Sequence, residues 1–140
     1  MSADLDGSRI TILPEGWAAP RGYVNGLVAE GRLLVLAGQI GWDPRTGEMV
    51  SDDFSAQVRQ TLMNVVALLR EAEAEPSQLV RLTWYITDRA AYLAARREIG
   101  QCWRELCGAS YPTMSVVVVS GLVEARALVE IEATAVLRGP

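Results

Sequence analysis

The sequence predicts an α+β fold with the element order β-β-α-β-α-β-β. Three observations carry that expectation. Two long stretches repeat apolar residues at three- and four-residue steps, the spacing of one helix face. Shorter stretches between them alternate or run apolar, are rich in Val, Ile and Leu, and are bounded by Gly, Pro or Asp, as strands are. The helices are interleaved with strands without a strict βαβ repeat, which suits an α+β layer architecture.

The elements follow in chain order. The first 20 residues carry Gly7, Pro14, Gly16 and Pro20 and are expected to form an arm or one edge strand of a single domain spanning 1–140. Tyr23 to Ala29 and Arg32 to Ile40 read as two strands around the turn Ala29-Glu30-Gly31. Asp43-Pro44-Arg45-Thr46-Gly47 is a turn-rich loop. From Phe54 to Glu73, Phe54, Val58, Leu62, Val65, Leu69 and Ala72 form one apolar stripe on a helix. Ser51, Asp52 and Asp53 supply its cap candidates, and Pro76 closes the segment. Leu79 to Thr87 is a strand with Val80, Leu82, Trp84 and Ile86 on one face and Arg81, Thr83, Tyr85 and Thr87 on the other. Asp88 caps a second helix, Ala90 to Cys107, which Gly108 ends. Thr113 to Val119 and Ala127 to Leu137 are the last two strands.

Two helices, each ~10 Å wide, cover about four strands at ~4.8 Å spacing, so they suffice for one face of the sheet. Yet Leu33-Leu34-Val35-Leu36-Ala37 and Val116 to Val119 are apolar on both faces of their strands. Strands of that kind are buried on both sides. The second face therefore needs a cover: another copy of the chain, or alternatively a closed small barrel or a long loop folded over the sheet.

Composition narrows the chemistry. The 140 residues carry a net charge of −4 and no basic run, which argues against nucleic acid as a partner. There is no histidine, so neither a Ser-His-Asp nor a Cys-His relay exists, nor any metal site that needs imidazole. Cys102 and Cys107 match no zinc or redox spacing and read as small core residues. The polar, acidic start, Met1 to Arg9, is not a signal peptide, and no apolar run reaches the ~20 residues of a membrane span. The expected location is the cytoplasm, with no membrane partner.

In the last strand, Val129, Ile131, Ala133 and Ala135 fall on one face, and Glu130, Glu132 and Thr134 on the other. Two carboxylates ~6.6–7 Å apart on a face desolvated by a neighbour would raise at least one pKa and give a group able to activate water. The plain alternative is a solvated strand face. Gly38, before Gln39, allows close backbone approach or marks a bulge. Tyr23 offers a phenol at the start of the first strand, and Trp42, Trp84 and Trp103 read as core or interface. No phosphate-binding or nucleophile-elbow motif is present.

Five segments together resemble the Rid (RidA/YjgF) family: Gly22-Tyr23-Val24-Asn25-Gly26, Ala37-Gly38-Gln39-Ile40, Gln57…Gln60…Asn64, Tyr111-Pro112-Thr113-Met114-Ser115 and Val129-Glu130-Ile131-Glu132-Ala133. They lie in the family's order and spacing from about Pro20 to Val136. The resemblance implies a chorismate-mutase-like α+β fold, with two helices on one face of a mixed sheet. It implies a homotrimer whose sheets face inward around three intersubunit clefts. It also implies cofactor-free hydrolysis of small enamines and imines to keto acids and ammonia. Carried over residue by residue, Glu130 matches the glutamate that positions water, and Tyr23 and Gly38 match cleft residues. Met114 stands where an arginine clamps the substrate carboxylate, Ala37 replaces a hydroxyl residue, and Arg96 takes a helix position that is usually asparagine. A thioether cannot pair with a carboxylate, and losing a charge-assisted bidentate contact removes on the order of 1.5–3 kcal/mol. The chain thus resembles Rid subgroups that lack the clamp. Three readings follow: a hydrolase or deaminase acting on a different small molecule; an imine hydrolase in which Arg96 or Arg126 substitutes for the clamp; or a non-catalytic ligand-binding or regulatory trimer. Some relatives carry a ribonuclease label, against which the acidic charge and missing histidine argue here.

Overall fold

The strand with the cleanest alternation takes the middle of the sheet. In β9 (Val129–Leu137), Val129, Ile131, Ala133, Ala135 and Leu137 are all buried on one face. Around it the main sheet runs in the order β4-β9-β7-β8, with β4 Arg32–Ile40, β7 Leu79–Ile86 and β8 Thr113–Val118. β9 is antiparallel to both β4 and β7, and β7 is parallel to β8, so the sheet is mixed. The computed structural model describes residues 2–3 and 8–138. Within the expected N-terminal arm, β1 (Ser2–Ala3) and β2 (Arg9–Ile12) pair with β3 (Gly26–Ala29) as a separate antiparallel sheet; residues 1 and 4–7 of that arm lie outside the described residues. The Arg9 guanidinium ties this small sheet to the main one by donating to the carbonyls of Leu79 and Tyr111, at 2.7 and 3.2 Å. The expected loop at Asp43 is the tip of a short hairpin, β5 (Trp42–Asp43) and β6 (Glu48–Met49).

Helix α1 (Phe54–Glu71) starts where Asp53 accepts a hydrogen bond from the Ala56 N–H. Its apolar stripe packs on β4 and β9. Two polar residues seven apart, on the same helix face, act as fasteners. The Gln57 side chain is fully buried; it donates to the carbonyls of Ser51 and Arg126 and accepts from the Leu128 N–H, at 2.8–3.0 Å. Asn64 donates to the carbonyls of Ile40 and Trp42 and accepts from Gln60. Strand β4's end and the approach to β9 are thereby bolted to one helix.

The second helix differs from expectation. It is divided into α2 (Arg89–Ala94) and α3 (Arg96–Cys107), so three helical segments cover the sheet. The division is a bend at one residue: Ala95 has ψ 4, yet the Ala95→Ala91 and Ile99→Ala95 hydrogen bonds continue across it. No glycine or proline marks the bend. Aromatic contacts outside the helix accompany it: Tyr92 meets Trp84 edge-on before it, and Trp103 stacks on Tyr111 after it.

All three helices lie on one face. On the other, Leu33 and Val35 are 68% and 67% exposed, while their neighbours Leu34 and Leu36 pack into or against the core. Among the described residues, neither a loop nor a closed barrel covers these side chains. None of the helices is long and apolar enough to cross a membrane, among the described residues.

The fastener role of Gln57 is checked by Gln57→Leu. Three backbone groups would lose their partner, and the protein should lose about 2–4 kcal/mol of stability in urea unfolding. An unchanged midpoint would show that these bonds hold nothing.

Candidate functional site

A cavity of about 570 Å³ opens on the helix side of the sheet, at the β8 edge. Its floor is Trp84 of β7 with Met114 and Val116 of β8. Met114 pairs in register with Leu82 and Val116 with Trp84, so these side chains share the helix-covered face. Tyr92 of α2 and Arg96, Ile99 and Arg104 of α3 form the opposite wall, on both sides of the bend. The segment Arg21-Gly22-Tyr23 closes a third side. Gly22 turns the chain there with φ +77, a conformation costly for other residues, and the next anchor is the Val24 N–H donating to the Pro112 carbonyl at 3.1 Å.

The lining carries three guanidinium groups, Arg21, Arg96 and Arg104, and no carboxylate. Arg104 lies back over Gly100, 3.4 Å from where a Cβ would stand. Burial pushes the Tyr92 phenol above its usual range, with Arg96 opposing, so the ring stays neutral at physiological pH. The arrangement is suited to an anion with an apolar body.

Glu130 and Gly38 meet elsewhere, on the open face. The β4–β9 ladder shifts register between Leu36 and Gln39, and Gly38 sits in that bulge. A Cβ at Gly38 would fall 2.5 Å from the Glu130 Oε2, so any side chain there would displace this carboxylate. The adjacent Tyr85 hydroxyl donates to Glu132 at 2.7 Å, which holds the phenol above its usual range. Glu132 is thus engaged, whereas Glu130 makes no hydrogen bond among the described residues.

Of the residues named from sequence, then, Tyr23, Arg96 and Met114 come together at the cavity, and Gly38 and Glu130 come together across the sheet from it. Arg126 joins neither group: its guanidinium donates to Asp52 at 2.8 and 3.1 Å beside the start of α1, and both residues are exposed. Sequence reasoning missed Arg21, Tyr92 and Arg104. The signal was present: Tyr92, Arg96, Gly100 and Arg104 recur at four-residue steps, one stripe down a helix face.

The cysteines take no part. Both are buried, and burial pushes both thiols up, Cys107 to about 12. A raised thiol pKa keeps the unreactive protonated form through mildly alkaline pH. Both should resist a thiol-specific reagent until the protein is unfolded; rapid labelling of the native protein would contradict this burial.

A protein-family model described as Endoribonuclease L-PSP matches residues 16–137. The chain belongs to that family, the Rid (YjgF) family. The fold is the family's chorismate-mutase-like one. A conserved Rid family protein of unknown function from Yersinia pestis, YyfB, has a crystal structure that superposes with a TM-score of 0.82 at 36% identity, covering 93% of this chain and 99% of that one. The YjgF gene product of Escherichia coli superposes with a TM-score of 0.69 at 34% identity, covering 92% and 99%. The 2-iminobutanoate/2-iminopropanoate deaminase of Salmonella typhimurium is 36% identical over 129 residues, 91% of this chain and 98% of that protein.

Proposed function

We propose that this Rid protein hydrolyses a small imine or enamine in a cleft shared between copies of a homotrimer, without a cofactor. The observation that carries the reading is the split of the candidate residues between two faces of one sheet. Tyr23, Arg96 and Met114 line the cavity, while Glu130 stands over Gly38 on the face where Leu33 and Val35 are bare. A neighbouring copy docked on that bare face would bring its own cavity edge toward Glu130 and complete the cleft. The E. coli Rid-fold protein TdcF, solved with serine bound, is 33% identical and supports a small polar molecule as ligand.

In the proposed reaction Glu130, as carboxylate, accepts a hydrogen bond from a water and directs its oxygen at the imine carbon. Glu130 takes a proton from the water as the C–O bond forms and the C=N π pair moves to nitrogen, and it hands that proton to the nitrogen. It then takes the hydroxyl proton of the resulting carbinolamine and delivers it to the amine; the C–N bond breaks as the C=O bond forms, and ammonia leaves with a ketone or keto acid remaining. Relatives about 35% identical are named 2-iminobutanoate/2-iminopropanoate deaminases. Met114 argues for a different substrate here, since it makes the floor of the cavity apolar. Arg96, on the cavity wall, is the cation we assign to substrate; Arg126 is engaged by Asp52. Met114 also favours the second reading, a trimer that binds a small ligand without turning it over.

Sedimentation should give three times the 15.2 kDa chain mass at micromolar concentration; a well-behaved monomer would remove the shared cleft. Short-chain 2-imino acids generated in situ should be poor substrates, and Met114→Arg should raise their turnover about tenfold or more by restoring a charge-assisted contact. Glu130→Gln should abolish turnover and spare binding; unchanged turnover would end the hydrolytic role given to Glu130.

A further inference from the structure

The cavity differs from a site built for a three-carbon acid in size, charge and lining. Six non-hydrogen atoms, at a water's share of about 30 Å³ each, occupy roughly 180 Å³. The cavity offers about 570 Å³. Its inner surfaces are flat and aromatic: Trp84 and Tyr92 lie edge to face at 6.4 Å, and Trp103 and Tyr111 stack at 5.8 Å. Met114 adds a polarisable thioether, which favours contact with ring edges. The cations come from α3 and the 21–23 segment, and none from the strand floor, where Met114 and Val116 are apolar. Arg96 and Arg104 belong to the helix wall opposite that floor.

We infer that the cavity takes an aryl-substituted carboxylate, with the ring over Met114 and among the aromatic side chains and the carboxylate on the Arg96–Arg104 side. This rests on the reading above that the cavity is the ligand site. A ring supplies the offset and edge contacts these side chains prefer, and a guanidinium pairs with a carboxylate through two parallel N–H donors. Three guanidiniums with no lining acid leave the empty cavity positive, so an uncharged aromatic would forgo the main attraction and a short acid would forgo the ring contacts.

Calorimetric titration of the intact protein with phenylpyruvate, pyruvate and 2-phenylethanol tests both ends separately. Phenylpyruvate should bind about tenfold or more tightly than either of the others. Arg96→Gln, at an exposed position, should weaken phenylpyruvate about tenfold and leave 2-phenylethanol unchanged; Arg104→Gln is the second variant for the same end. Pyruvate binding as tightly as phenylpyruvate, no phenylpyruvate binding at millimolar concentration, or no loss in both arginine variants would overturn the assignment. Selective phenylpyruvate binding without any imine turnover would instead keep this ligand class and overturn the hydrolytic reading alone.

Discussion

A mixed sheet with helices on one face only is the constraint on which the rest depends. Hydrophobic burial is satisfied on the helix side, where α1 and α3 cover β9 and β7, and it is left undone on the other, where Leu33 and Val35 face water in a single copy. An apolar strand that stays bare calls for a protein neighbour. The same asymmetry divides the candidate chemistry: cations and aromatics lie beneath the helices, and the unbonded carboxylate Glu130 lies on the bare face. In the proposed reading a second copy brings the two together, so assembly and activity would be a single event.

The family resemblance rests on residues of two kinds, which the structure separates. Gln57, Gln60 and Asn64 belong to its motifs, yet their bonds are to backbone carbonyls, to an N–H and to one another. They hold α1 to the ends of two strands. Gly38 belongs to both kinds: it forms the bulge, and its missing Cβ is the space that Glu130 occupies. Met114 is of the second kind alone. It packs against the core from an edge strand and faces the cavity, where its side chain changes what the site can hold more than how the chain folds.

Much of this was legible in the residues. Period two in Val129–Leu137 put Glu130 and Glu132 on one face opposite the core, and the strand obeys it without exception. The α1 stripe was equally direct, because local spacing decides it, and so was a cap among Ser51, Asp52 and Asp53, of which the structure uses Asp53. The bend at Ala95 was not legible: alanine is the best helix former, and nothing within a few residues announces a break. Tyr23 and Arg96 could be named from a resemblance, but that they share one cavity with Tyr92 and Arg104 could not.

The sequence by itself determined the four strands of the main sheet, the helical stripes, the absence of imidazole chemistry and the surplus of apolar strand face, since each follows from periodicity or composition along a few neighbouring residues. Only the tertiary structure decided which side chains meet. Arg126 and Arg96 are alike as bare sequence, each a candidate substitute for the clamp, and the fold sends one to Asp52 and the other to the cavity. The reason is physical: direction in space is set by strand register and helix bend, which depend on partners tens of residues away and leave no mark on the residue itself.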